Sequence, residues 1–526
     1  MRRNALLTPL TLLLLGSASA LGDERNRFAD VLALQEAVHQ AIERAEPSIA
    51  CILVSRSDKY RAYDTILPRQ PGQLGRFDAR SALRSVDKDS PESQAIQRLD
   101  LSNPDNVPEA YGSGIVLDSE KGLILTLAHV IRNATKIYVR LPGGIGSWAD
   151  IHASDPRSDL AVLRLIERKP NLKTLKLGDG SKLRKGDFIL SLSNPFAAGF
   201  RDGSPSSSWG IVSNLRRRAT GVLTDDVSTT ERNAKLPLYC FNTLIQTDTR
   251  MNLGCSGGAL LNLEGELVGL TSSLAGIAGG ETPGGFGVPL DDGMRRIINV
   301  LLRGEEVEYG FLGVYLERAD QILEGYVRIS SLVDKGPAVQ GGIRGPIYRG
   351  GFPMRNRFRS EPGDYILSIN GTPIHNNDDL FLAVGLQQAG TTIRVEVSQS
   401  PVRPGQGQIH QVKLTKFPSV PSPSLGPLIA SNRPRARGGL RVDWSSVVLP
   451  LEQFIPEGVV IREVLPGSAA EKARLRPDLI IKKVNGQEIS TPAEFYREME
   501  KANGLVEITY DTLRGGNESR VTIKVN

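Results

Sequence analysis

Three pieces of one stretch decide the reading of this chain: Leu244-Ile245-Gln246-Thr247, then Gly254-Cys255-Ser256-Gly257-Gly258, then Leu267-Val268-Gly269-Leu270-Thr271. Two short apolar runs with strand character flank a serine set among glycines. Glycine on both sides lets the backbone turn tightly, exposes the hydroxyl and points neighbouring amides at one spot. Taken alone, these five residues fit an ordinary Gly-rich hairpin turn equally well, so the surroundings decide. Short aliphatic or β-branched runs recur on either side, at Gly114 to Leu117, Leu123 to Leu127, Ile137 to Leu141, Leu160 to Leu165 and Phe188 to Leu192, separated by Gly, Asn and Asp turns. Many short strands at this spacing predict a mainly β domain between Gly112 and about Leu302, an antiparallel barrel or sandwich closed by a helix over Met294 to Leu302.

A serine hydroxyl is a weak nucleophile until a base takes its proton, and the chain has only five histidines to supply one. His129, in Thr126-Leu127-Ala128-His129-Val130-Ile131, stands just past the strand from Leu123. His39, His152, His375 and His410 lie in a leading helix, a strand or the C-terminal repeats, where a core or surface histidine is the plainer reading. The base in turn needs a carboxylate to fix its tautomer. Asp159, in Asp155-Pro156-Arg157-Ser158-Asp159-Leu160-Ala161-Val162, abuts an apolar strand and is preferred. Asp155, before Pro156, suits a turn and is the rival. The backbone amides of Gly254 and Ser256 are placed to stabilise an oxyanion, worth roughly 3 to 4 kcal/mol per donor.

The order His, Asp, Ser, the stretches Thr126 to Ile131, Ser158 to Val162 and Gly254 to Gly258, the link Ser193-Asn194-Pro195-Phe196 and the run Gly210-Ile211-Val212-Ser213 together resemble the HtrA (Deg) family of trypsin-like serine proteases. The resemblance covers about Gly112 to Leu302 for the protease and Gly310 onward for two PDZ domains. It implies a chymotrypsin-like double β-barrel followed by two α+β PDZ domains, with His129 as general base, Asp159 as orienting acid and Ser256 as nucleophile. The family's usual residue before the serine is Asn, whereas here it is Cys255, for which a small, inward-facing, inert residue is the expectation. The resemblance also implies that Thr271 to Gly287 borders the pocket for the residue before the cut bond, where Leu274 and Ile277 suggest an apolar side chain. The cluster Arg216, Arg217 and Arg218 resembles the family's sensor loop, with a solvated basic turn as the equal alternative.

An internal repeat lies behind the barrel: Gly336-Pro337-Ala338 through Gly363 to Gly371 matches Gly467-Ser468-Ala469-Ala470 through Asp478 to Gly486. In the first copy Phe311-Leu312-Gly313-Val314 resembles a PDZ carboxylate-binding loop, whose amides hold a peptide C-terminus while the peptide adds a strand to the sheet edge. Gly439 to Val442 is the weaker counterpart in the second, and Pro346 to Glu361 is an insertion in the first. The Pro- and Ser-rich segment from Pro418 to Arg437 has the composition of an extended tether. The stretch from Ser55 to Glu109 lacks sustained periodicity and reads as a long, mobile surface loop.

The N-terminus has the pattern of a secretory signal, with Arg2 and Arg3 before an apolar run and Ala18-Ser19-Ala20 for cleavage. That run is shorter than the roughly 20 residues of a bilayer span, so no stable membrane anchor is expected. Apolar residues at Phe28, Val31, Leu32, Val38 and Ile42 then predict a helix, stopped by Pro47. The resulting division is a signal peptide over 1–20, a protease domain over 21–305 with a long loop at 55–110, PDZ domains over 308–417 and 438–526, and a linker over 418–437. The 526 residues exceed one hydrophobic core. At 40% hydrophobic and 23% charged, the composition is that of packed globular domains. The net charge of +6 is scattered among nearly as many acids, which argues against a nucleic-acid partner. Cys51, Cys240 and Cys255 are too few for a disulfide framework, although a Cys51 to Cys240 bridge stays open. No metal-ligand spacing or cofactor fingerprint is present, so neither metal nor cofactor is expected.

As a function the resemblance implies an ATP-independent serine endopeptidase that is exported, to the periplasm or otherwise by secretion. It would act on unfolded polypeptides and peptide C-termini as a homotrimer or a multiple of three, with subunit contacts near Phe28 to Ile42. The alternative is a peptide-binding chaperone or scaffold whose protease domain rests inactive.

Overall fold

A computed structural model describes residues 14–63, 70–106, 108, 110–167, 169–217, 238, 243–272, 285–318, 323–349, 358–418, 427–449, 454–502, 504–516 and 518–525. Two antiparallel barrels carry the first half. The first uses strands β1 (Ile49–Ser55), β2 (Ala110–Asp118), β3 (Leu123–Leu127), β4 (Lys136–Leu141), β5 (Ile145–Asp155) and β6 (Leu160–Leu165), in the order β5-β4-β1-β2-β3-β6, closed by pairing of β5 with β6. The second uses β7 (Phe188–Ser193), β8 (Ser206–Arg217), β9 (Leu244–Thr247), β10 (Ala259–Leu261), β11 (Leu267–Ser272) and β12 (Gly285–Pro289) in a closed ring β10-β11-β12-β9-β8-β7. Closure pairs the outer strands of each barrel with one another. One core runs through both barrels, and two further clusters take Cys51 and Leu53 of β1 and Leu260 of β10, so that β1, β3 and β10 are buried along their whole length.

The helix Asp292–Leu302 closes the domain as expected. Asp291 caps it through the amide of Met294 at 2.8 Å, and Met294, Ile297, Ile298 and Leu301 form the buried face. At the other end a helix runs from Leu14 to Ala45, longer than the predicted Phe28–Ile42. Ala41 and Ala45 are buried in the core, while Phe28, Val31 and Leu32 stand exposed. Among the described residues, no helix is long and apolar enough to cross a membrane.

Two sequence expectations are corrected here. The described residues of the segment 55–110 form a packed cover over the first barrel. Tyr60, Phe77, Ile96, Leu99 and Leu101 form a cluster with Cys51 and Leu53 of β1, Tyr138 of β4 and Trp148 of β5. The Tyr60 hydroxyl donates to Leu99 O at 2.7 Å, and buried Lys136 donates to Leu74 O with its ammonium 5.9 Å from the Tyr60 ring centroid. These anchors are far apart in sequence and follow no period, so pattern reading finds a loop where tertiary contact builds a layer. The tether 418–437 is also partly structured: Ile429–Ala430 extends the first barrel's sheet by pairing with Ser154 and Ala153 of β5, and both residues are buried.

The two C-terminal modules share one strand plan. The first orders Val314–Leu316, Val327–Leu332, Tyr365–Ile369, Thr392–Ser398 and Gln408–Lys413 in that sequence. The second orders Leu440–Trp444, Val459–Val464, Ile480–Val484, Gly504–Asp511 and Ser519–Val525. Each has its own apolar core. Within the insertion in the first, Ile347–Arg349 pairs antiparallel with Phe358–Glu361. Val307 and Tyr309 pack in the protease core, so the first module begins against the barrel wall.

Candidate active site

His129 and Asp159 meet because β3 and β6 are neighbours in register, Leu127 opposite Leu160, and each residue lies just beyond the shared end of its strand. Asp159 takes a left-handed φ of 55°, which turns its backbone carbonyl to accept from Ala128 N–H at 2.8 Å. Its Oδ1 accepts from His129 N–H at 2.8 Å and its Oδ2 lies 2.6 Å from His129 Nδ1. Both side chains are nearly buried, 12% and 6% exposed. A carboxylate on Nδ1 fixes the tautomer with Nε2 free to act as base, and stabilises the imidazolium that results.

The rival acid is used elsewhere. Asp155 is buried at the end of β5, where its Oδ2 accepts from Ser158 N–H at 2.9 Å and from the hydroxyls of Ser158 and Tyr309. Burial pushes its pKa up against these hydrogen bonds.

Ser256 sits on the turn between β9 and β10, clamped to the first barrel. Its carbonyl accepts from Ser113 N–H at 2.8 Å, and the Ser113 hydroxyl donates to Gly254 O at 2.8 Å. Gly257, at φ 86°, donates to Thr271 O at 2.9 Å. A Cβ at Gly112 would lie 2.5 Å from Val130 Cγ1 and 3.2 Å from Ser256 O, so the turn after His129 and the turn of Ser256 converge on one glycine. Gly254, at φ 96°, has no room for a side chain, since a Cβ would fall 2.5 Å from Asn194 O. Cys255 is buried, its Sγ accepting from Asn252 N–H at 3.3 Å and its carbonyl from the Thr271 hydroxyl. It faces inward, as the sequence suggested.

The other predicted residues are distributed as follows. Arg216 and Arg217 end β8, exposed; Arg218, Cys240, Leu274 and Ile277 lie outside the described residues. Cys51 is a buried free thiol, against the open reading of a bridge to Cys240. His152 bridges Leu302 O and Ser431 Oγ, His410 bonds Gly341 O, and His375 neighbours Asp379. No group of three or more His, Cys, Asp or Glu side chains with metal-holding geometry occurs among the described residues.

Phe311, Leu312, Gly313 and Val314 line one groove with Leu380 and Val384 of the helix Asn377–Gly385. The strand Val314–Leu316 is the edge of its sheet. At the corresponding edge of the second module the Tyr496 hydroxyl, on the helix Pro492–Lys501, accepts from Val442 N–H at 3.3 Å. Ser113, Arg157 and Tyr309 were missed in the sequence. Only Arg157, inside the quoted Asp155–Val162 stretch, stood next to a signal.

Paired closed barrels with His129 and Asp159 joined on one and the Ser256 turn clamped against it define a trypsin-like serine peptidase. The trypsin-like peptidase domain profile matches residues 112–270. The chain belongs to the HtrA family of DegP-like periplasmic serine endoproteases and is a serine-type endopeptidase with two α+β PDZ modules. A probable periplasmic DegP-like serine endoprotease of Pseudomonas fluorescens strain Pf-5 is 31% identical over 430 residues, 79% of each chain. One from Pseudomonas putida strain W619 is 29% identical over 514 residues, 95% of this chain and 97% of the relative. Among solved structures, the HtrA-type protease AlgW with tripeptide is 23% identical with a TM-score of 0.46, over 72% of this chain and 97% of that one.

Proposed function

We propose that the protein hydrolyses unfolded exported polypeptides in the periplasm through an acyl-enzyme formed on Ser256. The observation that carries this is the pair of hydrogen bonds that Asp159 accepts from His129, at 2.6 and 2.8 Å, on the barrel rim to which the Ser256 turn is bound. His129 takes the proton of Ser256 as the hydroxyl attacks the peptide carbonyl, then gives it to the leaving amine. Water enters by the same route in reverse and frees the acid. The amides of Gly254 and Ser256 hold the oxyanion of both tetrahedral intermediates.

The first PDZ module, through Phe311 to Val314, captures peptide C-termini and regulates the protease, with Arg216 to Arg218 as the relay. Hydrogen bonds between backbone amides and side chains of β8 and the loop before Ser256 support a connection there: Asp248 Oδ1 accepts from Ile211 N–H at 2.7 Å, and Ser208 Oγ from Arg250 N–H at 3.1 Å. The exposed Phe28, Val31 and Leu32 support assembly as a homotrimer or a multiple of three. Cleavage of casein by wild type and Ser256→Ala, with product termini mapped by mass spectrometry, tests the catalytic reading. The loss expected is on the order of 10⁶-fold, and near-wild-type cutting by the variant rejects it. A concentration-independent monomer in light scattering rejects the assembly.

A further inference from the structure

The groove of the first PDZ module has a wall that comes from the protease domain. A cavity of about 50 Å³ between Phe311–Val314 and the helix Asn377–Gly385 is also lined by Arg157, from the turn between β5 and β6. The guanidinium lies 3.7 Å from the centroid of the Phe417 ring and 5.2 Å from that of Tyr309. A Cβ at Gly385, the end of the groove helix, would stand 3.6 Å from its Nη2. Arg157 Nε is withdrawn from solvent and meets no hydrogen-bond acceptor among the described residues. Burial pulls the guanidinium pKa down, with the Tyr309 hydroxyl and Asp155 opposing. A cation with an unused donor, set in an otherwise apolar groove, is matched by an anion that brings an apolar body with it.

We propose that this groove is a composite site in which Arg157 of the protease domain, together with the amides of Leu312 to Val314, binds the terminal carboxylate of a peptide with an apolar last residue. The inference rests on the reading of the module as a receptor for chain ends and adds the residue that supplies the charge. The carboxylate is the one anion every peptide end carries, ionised above about pH 4. The guanidinium adds to the amides' hydrogen bonds a positive charge, and so an ion pair, that the loop amides alone do not supply. Arg157 stands two residues before Asp159, so an occupied groove is held by the same turn that carries the triad's acid.

The experiment uses the full chain with Ser256→Ala, so that the probe is not consumed, with and without Arg157→Gln. Fluorescent decapeptides ending in valine, as the free acid and as the C-terminal amide, are titrated by anisotropy. With Arg157 the acid binds more tightly than the amide; in Arg157→Gln that ratio falls roughly tenfold while affinity for the amide holds. An unchanged ratio in a folded variant, or a variant that binds the acid more tightly, overturns the role of Arg157 and leaves chain-end capture standing. No preference for the acid with Arg157 present sinks both readings. Should Arg157→Gln not fold, a crystal structure of the Ser256→Ala chain with the acid peptide decides. A carboxylate oxygen within about 3.2 Å of the guanidinium supports the proposal, and one beyond that reach refutes it.

Discussion

The Tyr309 hydroxyl donates a hydrogen bond to Asp155 Oδ2, across a gap of 154 residues in sequence. Tyr309 immediately precedes the groove residues Gly310 and Phe311, and Asp155 opens the turn that ends at Asp159. One bond therefore ties the base of the first PDZ groove to the turn holding the acid of the His129 pair. Phe417 N–H reinforces it by donating to Tyr309 O at 2.7 Å.

The two acids of that turn are expected to fail differently. Asp159→Asn should cost about 10⁴-fold in the turnover of a short reporter, by favouring the wrong histidine tautomer. Tyr309→Phe leaves Asp155 buried with one fewer donor and should cost about 1 to 3 kcal/mol of stability, read as a lower melting temperature, with turnover of the reporter largely kept. A collapse of turnover in Tyr309→Phe and a mild effect in Asp159→Asn would reverse the assignment.

The sequence made the triad candidates legible because catalysis packs several residue types into short, ordered motifs, and Asp159 abutting β6 was enough to prefer it over Asp155. The repeat was legible because both modules need the same turn and strand order. The cover over the first barrel was not, since Tyr60, Phe77, Ile96 and Leu99 bury themselves against Trp148 and Tyr138 without any local period. The strand at Ile429 was hidden for a related reason: two residues paired to β5 carry too little pattern to stand out from a Pro-rich tether. Arg157 reads in sequence as part of a turn, and only the docking of the first module makes it a groove residue.

Gly257 has no tolerance for a side chain. At φ 86° a Cβ would lie 2.3 Å from Ser113 O and 2.5 Å from Thr126 Oγ1, both on the first barrel. Gly257→Ala must push the turn outward and carry Ser256 with it. A displacement of that kind is expected to lower kcat/KM on the order of 10²-fold. A reporter assay beside a thermal melt checks this, and wild-type kinetics in the variant would show that the turn yields without moving Ser256.

Cys51 should behave as a core side chain. Burial in β1 pushes its thiol up to about 12, with Arg140 pulling the other way. Only the thiolate reacts, so at pH 8 about one molecule in 10⁴ carries the reactive form even before access is considered. Iodoacetamide at pH 8 should leave Cys51 unmodified in the native protein and label it after guanidinium unfolding, as read by peptide mapping. Prompt native labelling would place β1 nearer to solvent than its packing allows.

His152 gives the docked linker a dependence on pH. Its Nε2–H donates to Leu302 O at 3.3 Å, which leaves Nδ1 to accept from the Ser431 hydroxyl at 2.9 Å. That arrangement needs the neutral ring. Burial lowers its pKa from 6.5, and the positive charges of Arg164 and Lys121 act in the same direction, while the bond to Leu302 opposes them. A folded-state pKa below the unfolded one means that the unfolded chain takes up the proton first. The stabilisation is therefore complete above about pH 6.5 and is lost as the pH falls through the lowered folded value. Protonation also removes the acceptor for Ser431, loosening the segment that pairs as Ile429–Ala430 with β5. In the Ser256→Ala background, which prevents self-digestion, melting temperature between pH 7.5 and 5 should fall more steeply with His152 than with His152→Gln. Added trypsin should cut the 418–437 segment faster at the acidic end only when His152 is present. Parallel pH profiles for the two proteins would mean that the ring stays neutral throughout, or that the linker is held by its strand pairing alone.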